Sequence, residues 1–395
     1  MAQPIKVLHI NTWGTGGAGV ACKRISKSLN DAGVDSKVLF LKNEIETKEW
    51  KSFAKIENGL MLFLKTQILR GLSFLPTLGN PVIYNNTLYS PFDVMKHPFF
   101  KEADVIHVHW VSKFMNWESV ISKSGKPIIL TMHDMYPFTG FYHYLTGLDW
   151  NRYKRVITKR KKKLKSLYHK NVIATAPSKW LTKLANESEV FKNEAVCIPN
   201  CIDTSVFKSL KREANSVYRI LFVAENINEE RKGFKLLLEA LEKLPKELDY
   251  ELLILGKGSF EIPKSKKLGF ITDPNELVCI YNQADVFVTP SLEDNLPNTV
   301  LESLSCGTPV LGFNIGGIPD MVRHTENGYL IEEKTSEAIV EGLLWLKENR
   351  LPTDVVASII EEKFSNRICS RNRISGCTNN WYIYECFYRN YCRYP

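Results

Sequence analysis

The feature that most narrows the fold is an alternation. Short apolar runs are followed by segments of helical period, again and again along the chain. Val7–Asn11, Lys37–Leu41, Val105–His109, Pro127–Met132 and Val172–Ala176 read as strands. After the first, Gly17–Leu29 places Val20, Ala21, Ile25 and Leu29 at helical spacing, with Gly33 just past its end. Strands separated by helices favour a parallel sheet covered on both faces, an α/β architecture.

The pattern then starts afresh. Arg219–Ala224 is a strand, Phe234–Leu244 a helix and Glu251–Leu255 a strand. Pro274–Ala284 carries its own start signal, with Asp273 as N-cap, Pro274 at the first position and Glu276 three after the cap. Val286–Thr289, the helix Asn298–Cys306 closed by Gly307, and the strand Val310–Phe313 complete the series. A polar stretch at Phe207–Val217 separates the two series. Two domains are expected, residues 1–207 and 208–365, and 395 residues suffice for two full cores. Residues 366–395 form an atypical tail with four of the nine cysteines, five tyrosines and five arginines. Its cysteine spacing matches no zinc module.

Charge is concentrated. The chain has 52 basic and 43 acidic residues, and nine of the basic ones fall within Arg152–Lys165, which holds no acid. Without that run the balance is even, so the excess is one patch. Only Tyr153 interleaves it among aromatics, which favours acidic lipid headgroups over nucleic acid, with a plain solvated helix as the alternative. Ile56–Leu78 is unusually apolar and reads either as a buried helix pair or as a surface helix meeting a membrane interface. No run reaches the length of a membrane span and no signal segment opens the chain, so a cytoplasmic location is expected, peripheral at most on the inner face of the membrane.

Two stretches carry chemistry. Gly14-Thr-Gly16-Gly17-Ala-Gly19 lies between a strand and a helix, where backbone N–H groups can approach an anion. A nicotinamide site would add an acid at the end of the second strand. Here that strand runs into Lys42-Asn43, with Glu44 beyond. Thr289–Val310 is the richer stretch. Asp294 hangs in the loop after a strand and Glu302 projects from the opening of the next helix. Ligands of open α/β sheets bind at that edge, and two carboxylates with Asn295 and Asn298 suit a polyhydroxylated molecule.

Pro290–Leu330 resembles the donor-sugar region of family-four retaining glycosyltransferases of the GT-B architecture, whose signature pairs two acids as E-x7-E. Here it reads Asp294-x7-Glu302. Gly307-Thr-Pro-Val310, Gly316-Gly-Ile-Pro-Asp320, Ile198–Phe207 and Asp285–Pro290 extend the likeness to about residue 365. The resemblance implies two Rossmann-like domains facing across a cleft. It implies that Glu302 accepts from ribose hydroxyls and that Asp294, with the backbone N–H groups of Asn295 and Leu296, holds the donor sugar. The segment ending in Ile271 would read the edge of the base. Arg231 and Lys232 would meet the diphosphate; the family's usual Arg position is here Asn226. His133, with Asp134, would stand across from the donor, and Gly16 and Gly17 would assist the leaving group.

The expected activity is metal-independent, retaining transfer of a hexose-type sugar from a nucleotide diphosphate to a glycan or lipid-linked hydroxyl, in assembly of a polysaccharide. The nucleotide-sugar is a co-substrate, and neither a cofactor nor a metal is expected; no Asp-x-Asp occurs. A nucleotide-sugar epimerase and a nicotinamide oxidoreductase using Gly14–Gly19 are the alternatives. His107 and His109 share one strand face and read as packing in preference to a metal site.

Overall fold

The computed structural model describes residues 4–43, 45–55, 59–74, 88–140, 142–144, 149–169, 172–211, 217–258 and 262–369. Seven parallel strands build the first sheet: β1 (Lys6–Trp13), β2 (Asp35–Lys42), β3 (Trp50–Ser52), β4 (Val105–Val108), β5 (Ile128–Thr131), β6 (Val172–Ala176) and β7 (Val196–Cys197). Their spatial order is β3-β2-β1-β4-β5-β6-β7. Six more build the second: β8 (Tyr218–Asn226), β9 (Tyr250–Lys257), β10 (Ser265–Gly269), β11 (Val286–Thr289), β12 (Val310–Phe313) and β13 (Gly328–Ile331), ordered β10-β9-β8-β11-β12-β13. Both orders are doubly wound, reversing between β1 and β4 and between β8 and β11.

Central strands are apolar on both faces because helices cover both faces. In β11, β12 and β4 every residue is buried. Alternate residues of the second sheet feed two cores: Leu221, Phe287 and Val310 join Leu301 and Leu304 on one side, and Ile220, Phe222 and Val288 join Leu237 on the other. One face of the first sheet is similar, with Leu8, Ile10, Ile106 and Leu130 in a large cluster. Its other face departs from this pattern. It presents His9, His107 and Thr131, all buried, next to a small cluster of Cys22, Val38 and Phe40.

The chain divides into two compact units, one reaching Asn200 and regaining Cys369, the other spanning Cys201–Ile368. The boundary falls before the expected Phe207, because Ile202 and Phe207 are core residues of the second unit. Ile202 N donates to Phe364 O and Asn366 N donates to Ile202 O, which stitches this segment to the end of the second unit. Asn366–Ile368 therefore belongs to that unit and not to a separate tail; residues 370–395 lie outside the described residues.

Two of the stretches singled out in the sequence form surface helices. The helix Gly59–Phe74 lies at the surface, with Leu60, Met61, Phe63, Leu64 and Ile68 exposed and Leu69 turned into the core; residues 56–58 and 75–78 of this stretch are outside the described residues. The basic run forms the helix Trp150–Tyr168, N-capped by Asp149, whose carboxylate accepts from Arg152 N at 3.1 Å. Tyr153, Ile157, Leu164 and Leu167 bury its inner face. Arg160 is not part of the solvated face: burial depresses its pKa and its guanidinium donates to Gly140 O at 3.2 Å.

Candidate active site

In the second unit the loops following β8 and β11 meet at the reversal of strand order. Leu292 N donates to Arg231 O at 2.8 Å, so the two loops share a backbone bond. Gly233, at φ +69°, permits this approach: a Cβ there would lie 1.8 Å from Pro290 O. Packing thus brings Arg231 and Lys232, from one loop, against Asp294 from the other. Lys232 Nζ is 2.6 Å from Asp294 Oδ2, and Arg231 Nη1 is 3.6 Å from the same oxygen. Burial alone pushes the Asp294 carboxyl up, but the two cations, the Lys232 bond and the Asn295 N–H outweigh it and hold it below the ordinary carboxylate range.

Arg231 is gripped on three sides. Its Nε and Nη2 reach Glu229 Oε1 at 2.9 and 2.7 Å, and its Nη1 donates to Glu293 O at 2.6 Å. The backbone N–H of Asn295 donates to Asp294 Oδ1 at 3.0 Å. Leu296 is buried and its side chain belongs to the core beneath. Glu302 projects from the helix Asn298–Ser305 and is buried, its Oε2 accepting from the Tyr281 hydroxyl at 2.9 Å. Ile271 is half-buried against the same core, just past Gly269, which closes β10 at φ +75°. Phe270 between them is exposed, with Lys257 Nζ 4.2 Å from its ring centroid.

Sequence reasoning missed Glu229 and Tyr281, which bond Arg231 and Glu302. Nothing in one sequence marks a lone tyrosine twenty-one residues before a glutamate as its partner. The pairing exists because two helices pack side by side.

In the first unit, Gly16 and Gly17 open the helix Gly16–Asp31, with Gly16 at φ +73° and Thr15 as N-cap. Asn43 lies at the end of β2 beside Gly14 and accepts from Lys23 Nζ at 3.1 Å. The position where a dinucleotide site has its acid is thus an amide held by a lysine; Glu44 lies outside the described residues. A cavity of about 400 Å³ opens here, lined by Trp13, Gly14, Thr15, Lys42, Asn43 and Lys55 among others.

His133 stands half-buried just past the end of β5. Its Nε2 is 3.0 Å from His109 Nδ1. Asp134 is occupied elsewhere: Oδ2 accepts from Trp110 Nε1 at 3.1 Å and bonds His143 Nδ1, while Oδ1 accepts from Tyr136 N at 2.9 Å. His9, His107 and His109 form a buried cluster in which one ring nitrogen of each lies within 4.8 Å of those of the other two.

Two doubly wound sheets, each with chemistry at the carboxyl edge of its reversal point, define the GT-B class of fold. The family model for glycosyltransferase family 4 matches residues 15–206, and that for glycosyl transferases group 1 matches residues 217–349. The chain belongs to this glycosyltransferase family. An uncharacterized glycosyltransferase of Haemophilus influenzae is 32% identical over 129 residues, covering 30% of this chain and 36% of that protein. A UDP-Gal:alpha-D-GlcNAc-diphosphoundecaprenol alpha-1,3-galactosyltransferase of Escherichia coli is 31% identical over 132 residues, covering 30% of this chain and 32% of that protein. The matched segment therefore spans about a third of the length of either relative. The crystal structure of Anabaena HepE in complex with UDP-glucose superposes with a TM-score of 0.64 at 14% identity, over 93% of this chain and 98% of that one.

Proposed function

We propose that the chain transfers a hexose-type sugar from a nucleotide diphosphate to a hydroxyl of a glycan or lipid-linked acceptor, with retention of configuration, in polysaccharide assembly. The observation that carries this reading is the ion cluster of Lys232, Arg231 and Asp294 at the reversal point of the second sheet. Cations fixed before the reaction suit a diphosphate that gains charge as the sugar–oxygen bond breaks. In this scheme the acceptor hydroxyl attacks the same face of the sugar and its proton passes to the departing phosphate oxygen. Asp294 and the Asn295–Leu296 loop hold sugar hydroxyls, Glu302 the ribose, and the Ile271 segment the base. His133, Gly16 and Gly17 are the first unit's candidates for a part in the reaction.

A thermal-shift panel of nucleotide-sugars tests the reading, since a bound donor raises the melting temperature by mass action. UDP and UDP-glucose are its first members. Glu302→Gln is expected to weaken binding of the best donor about 10- to 150-fold, the worth of a charge-assisted hydrogen bond. Calorimetry with unchanged affinity would remove Glu302 from the site.

Turnover is expected to survive EDTA, because Arg231 and Lys232 supply the positive charge that a divalent ion supplies elsewhere. Loss of activity that Mg²⁺ or Mn²⁺ restores would overturn the metal-free scheme.

A lipid-linked acceptor would bring the first unit to a membrane surface. No described helix is long and apolar enough to cross one. The exposed apolar side chains of Gly59–Phe74 and the cations of Trp150–Tyr168 supply both signals that interfacial binding needs. Lys154, Arg155, Lys159 and Lys162 are exposed; Arg160 bonds Gly140 and Lys163 pairs with Glu118 at 3.1 Å. Changing Lys154, Arg155, Lys159 and Lys162 to Gln is expected to lower partitioning onto anionic vesicles by about fivefold per residue, with unchanged UDP affinity. Wild-type protein that ignores such vesicles at low salt would end the membrane reading.

A further inference from the structure

We propose that His9 and His109 are positioning residues that hold His133 in a single neutral tautomer through a buried relay of imidazoles. The proposal rests on the reading of His133 as a site residue and deepens it. His9 on β1 is the direct strand partner of His107 on β4, and His109 follows two residues later on the same face. All three are at most 2% exposed. Central parallel strands are normally near-continuous apolar runs, so imidazoles here cost stability that a packing role alone does not require. Polar residues that break a local folding rule concentrate at functional positions.

The bonds form one line. His9 Nδ1 is 2.9 Å from His109 Nε2, and His109 Nδ1 is 3.0 Å from His133 Nε2. A neutral imidazole has one N–H and one lone pair. With one proton on His109, it donates through one nitrogen and accepts through the other, so both links must point the same way. If His133 accepts at Nε2, its Nδ1 carries the proton; if it donates, Nδ1 is an acceptor. The direction of the line at His9 therefore sets what His133 presents at Nδ1. His107 lies outside the line: its Nε2 bonds Thr131 Oγ1 at 2.7 Å, which bonds Thr175 Oγ1 at 2.7 Å, and its ring stacks on His109 with centroids 4.2 Å apart.

A metal ion is the rival occupant of this cluster. An ion bound by His9 and His109 through these atoms would need lone pairs at the two nitrogens that here share a proton. The two readings separate experimentally.

Side-chain ¹⁵N–¹H spectra of the histidine-labelled full chain, recorded at about pH 8 where ordinary imidazoles are neutral, report the tautomer of each ring. Signals absent from His133→Ala assign His133. One tautomer is expected in the wild type and a mixture in His109→Phe. Turnover of the donor that gives the largest thermal shift should fall about 10- to 100-fold in that variant, as for other orienting partners, with unchanged donor affinity. If His109→Phe does not fold, His109→Gln carries the same expectation, since it retains a polar group near Nε2 and loses the link to His133. An unchanged His133 spectrum in the folded variant overturns the relay. So does one equivalent of zinc whose removal shifts the His9 and His109 nitrogens. Full activity of His133→Ala would instead defeat the catalytic reading of His133, and the tautomer ratio would still decide the relay.

Discussion

Lys232→Met is expected to reduce sugar transfer by roughly a thousandfold, the upper range for removing one fixed donor from a developing negative charge. Lys232 Nζ stands 2.6 Å from Asp294 Oδ2, which holds the ammonium where the diphosphate is proposed to bind. The substitution also alters stability, with a defined pH dependence. Asp294 is held below the ordinary carboxylate range against the upward push of burial, chiefly by Lys232. A depressed carboxyl stabilises the fold above the unfolded-state pKa of about 3.9, and that contribution is lost as pH falls through the lower folded value. Lys232→Met should therefore cost about 3 kcal/mol near neutrality, as for breaking a buried pair, and approach the wild type in strong acid. Stopped assays and melting curves from about pH 3 to 7 check both effects. A loss of activity under about tenfold would take Lys232 out of the charge-stabilising role.

Gly316→Ala should be among the most damaging single-methyl additions at the described glycines. Gly316 sits at φ +56°, and a Cβ there would lie 1.7 Å from the carbonyl oxygen of Asp294. No rotamer change relieves that overlap, because the obstructing atom is backbone. The loop bearing Asp294 must move, breaking its register with Arg231 and Lys232. Left-handed strain and overpacking together are expected to cost about 3 kcal/mol, and a displacement of about 1 Å should reduce turnover by roughly a hundredfold. Gly125→Ala is the control. Gly125 has φ +64° with nothing within 4 Å of its Cβ position, so it should show the strain alone, about 1 kcal/mol. Equal losses in the two variants would mean that the contact with Asp294 is not what makes Gly316 necessary.

The inner strands of both units were legible in the amino-acid sequence. The strands it predicted are the inner ones, β1, β2, β4, β5, β6, β8, β9, β11 and β12. Buried on both faces, they must be apolar, and an apolar run between helices is legible one residue at a time. The four that it did not predict, β3, β7, β10 and β13, are the four edge strands. An edge strand is short and half-solvated, and β10 carries Lys266 and Lys267, both exposed, as edges commonly do. Its partner across the sheet specifies it, not its own pattern. Asp294, Arg231 and Lys232 could be singled out as candidates because they follow strand ends, and Glu302 because it lies on the helix that opens after such a loop. Their partners could not. Tyr281 meets Glu302, Glu229 grips Arg231, and His9 reaches His109 across 100 residues of chain. His107 and His109 could be seen to share a face, but the residue opposite them depends on which strand lies next to β4. That neighbour is β1, placed there by the doubly wound crossover. Strand order is a property of the packed sheet, so the buried histidine line exists only in three dimensions.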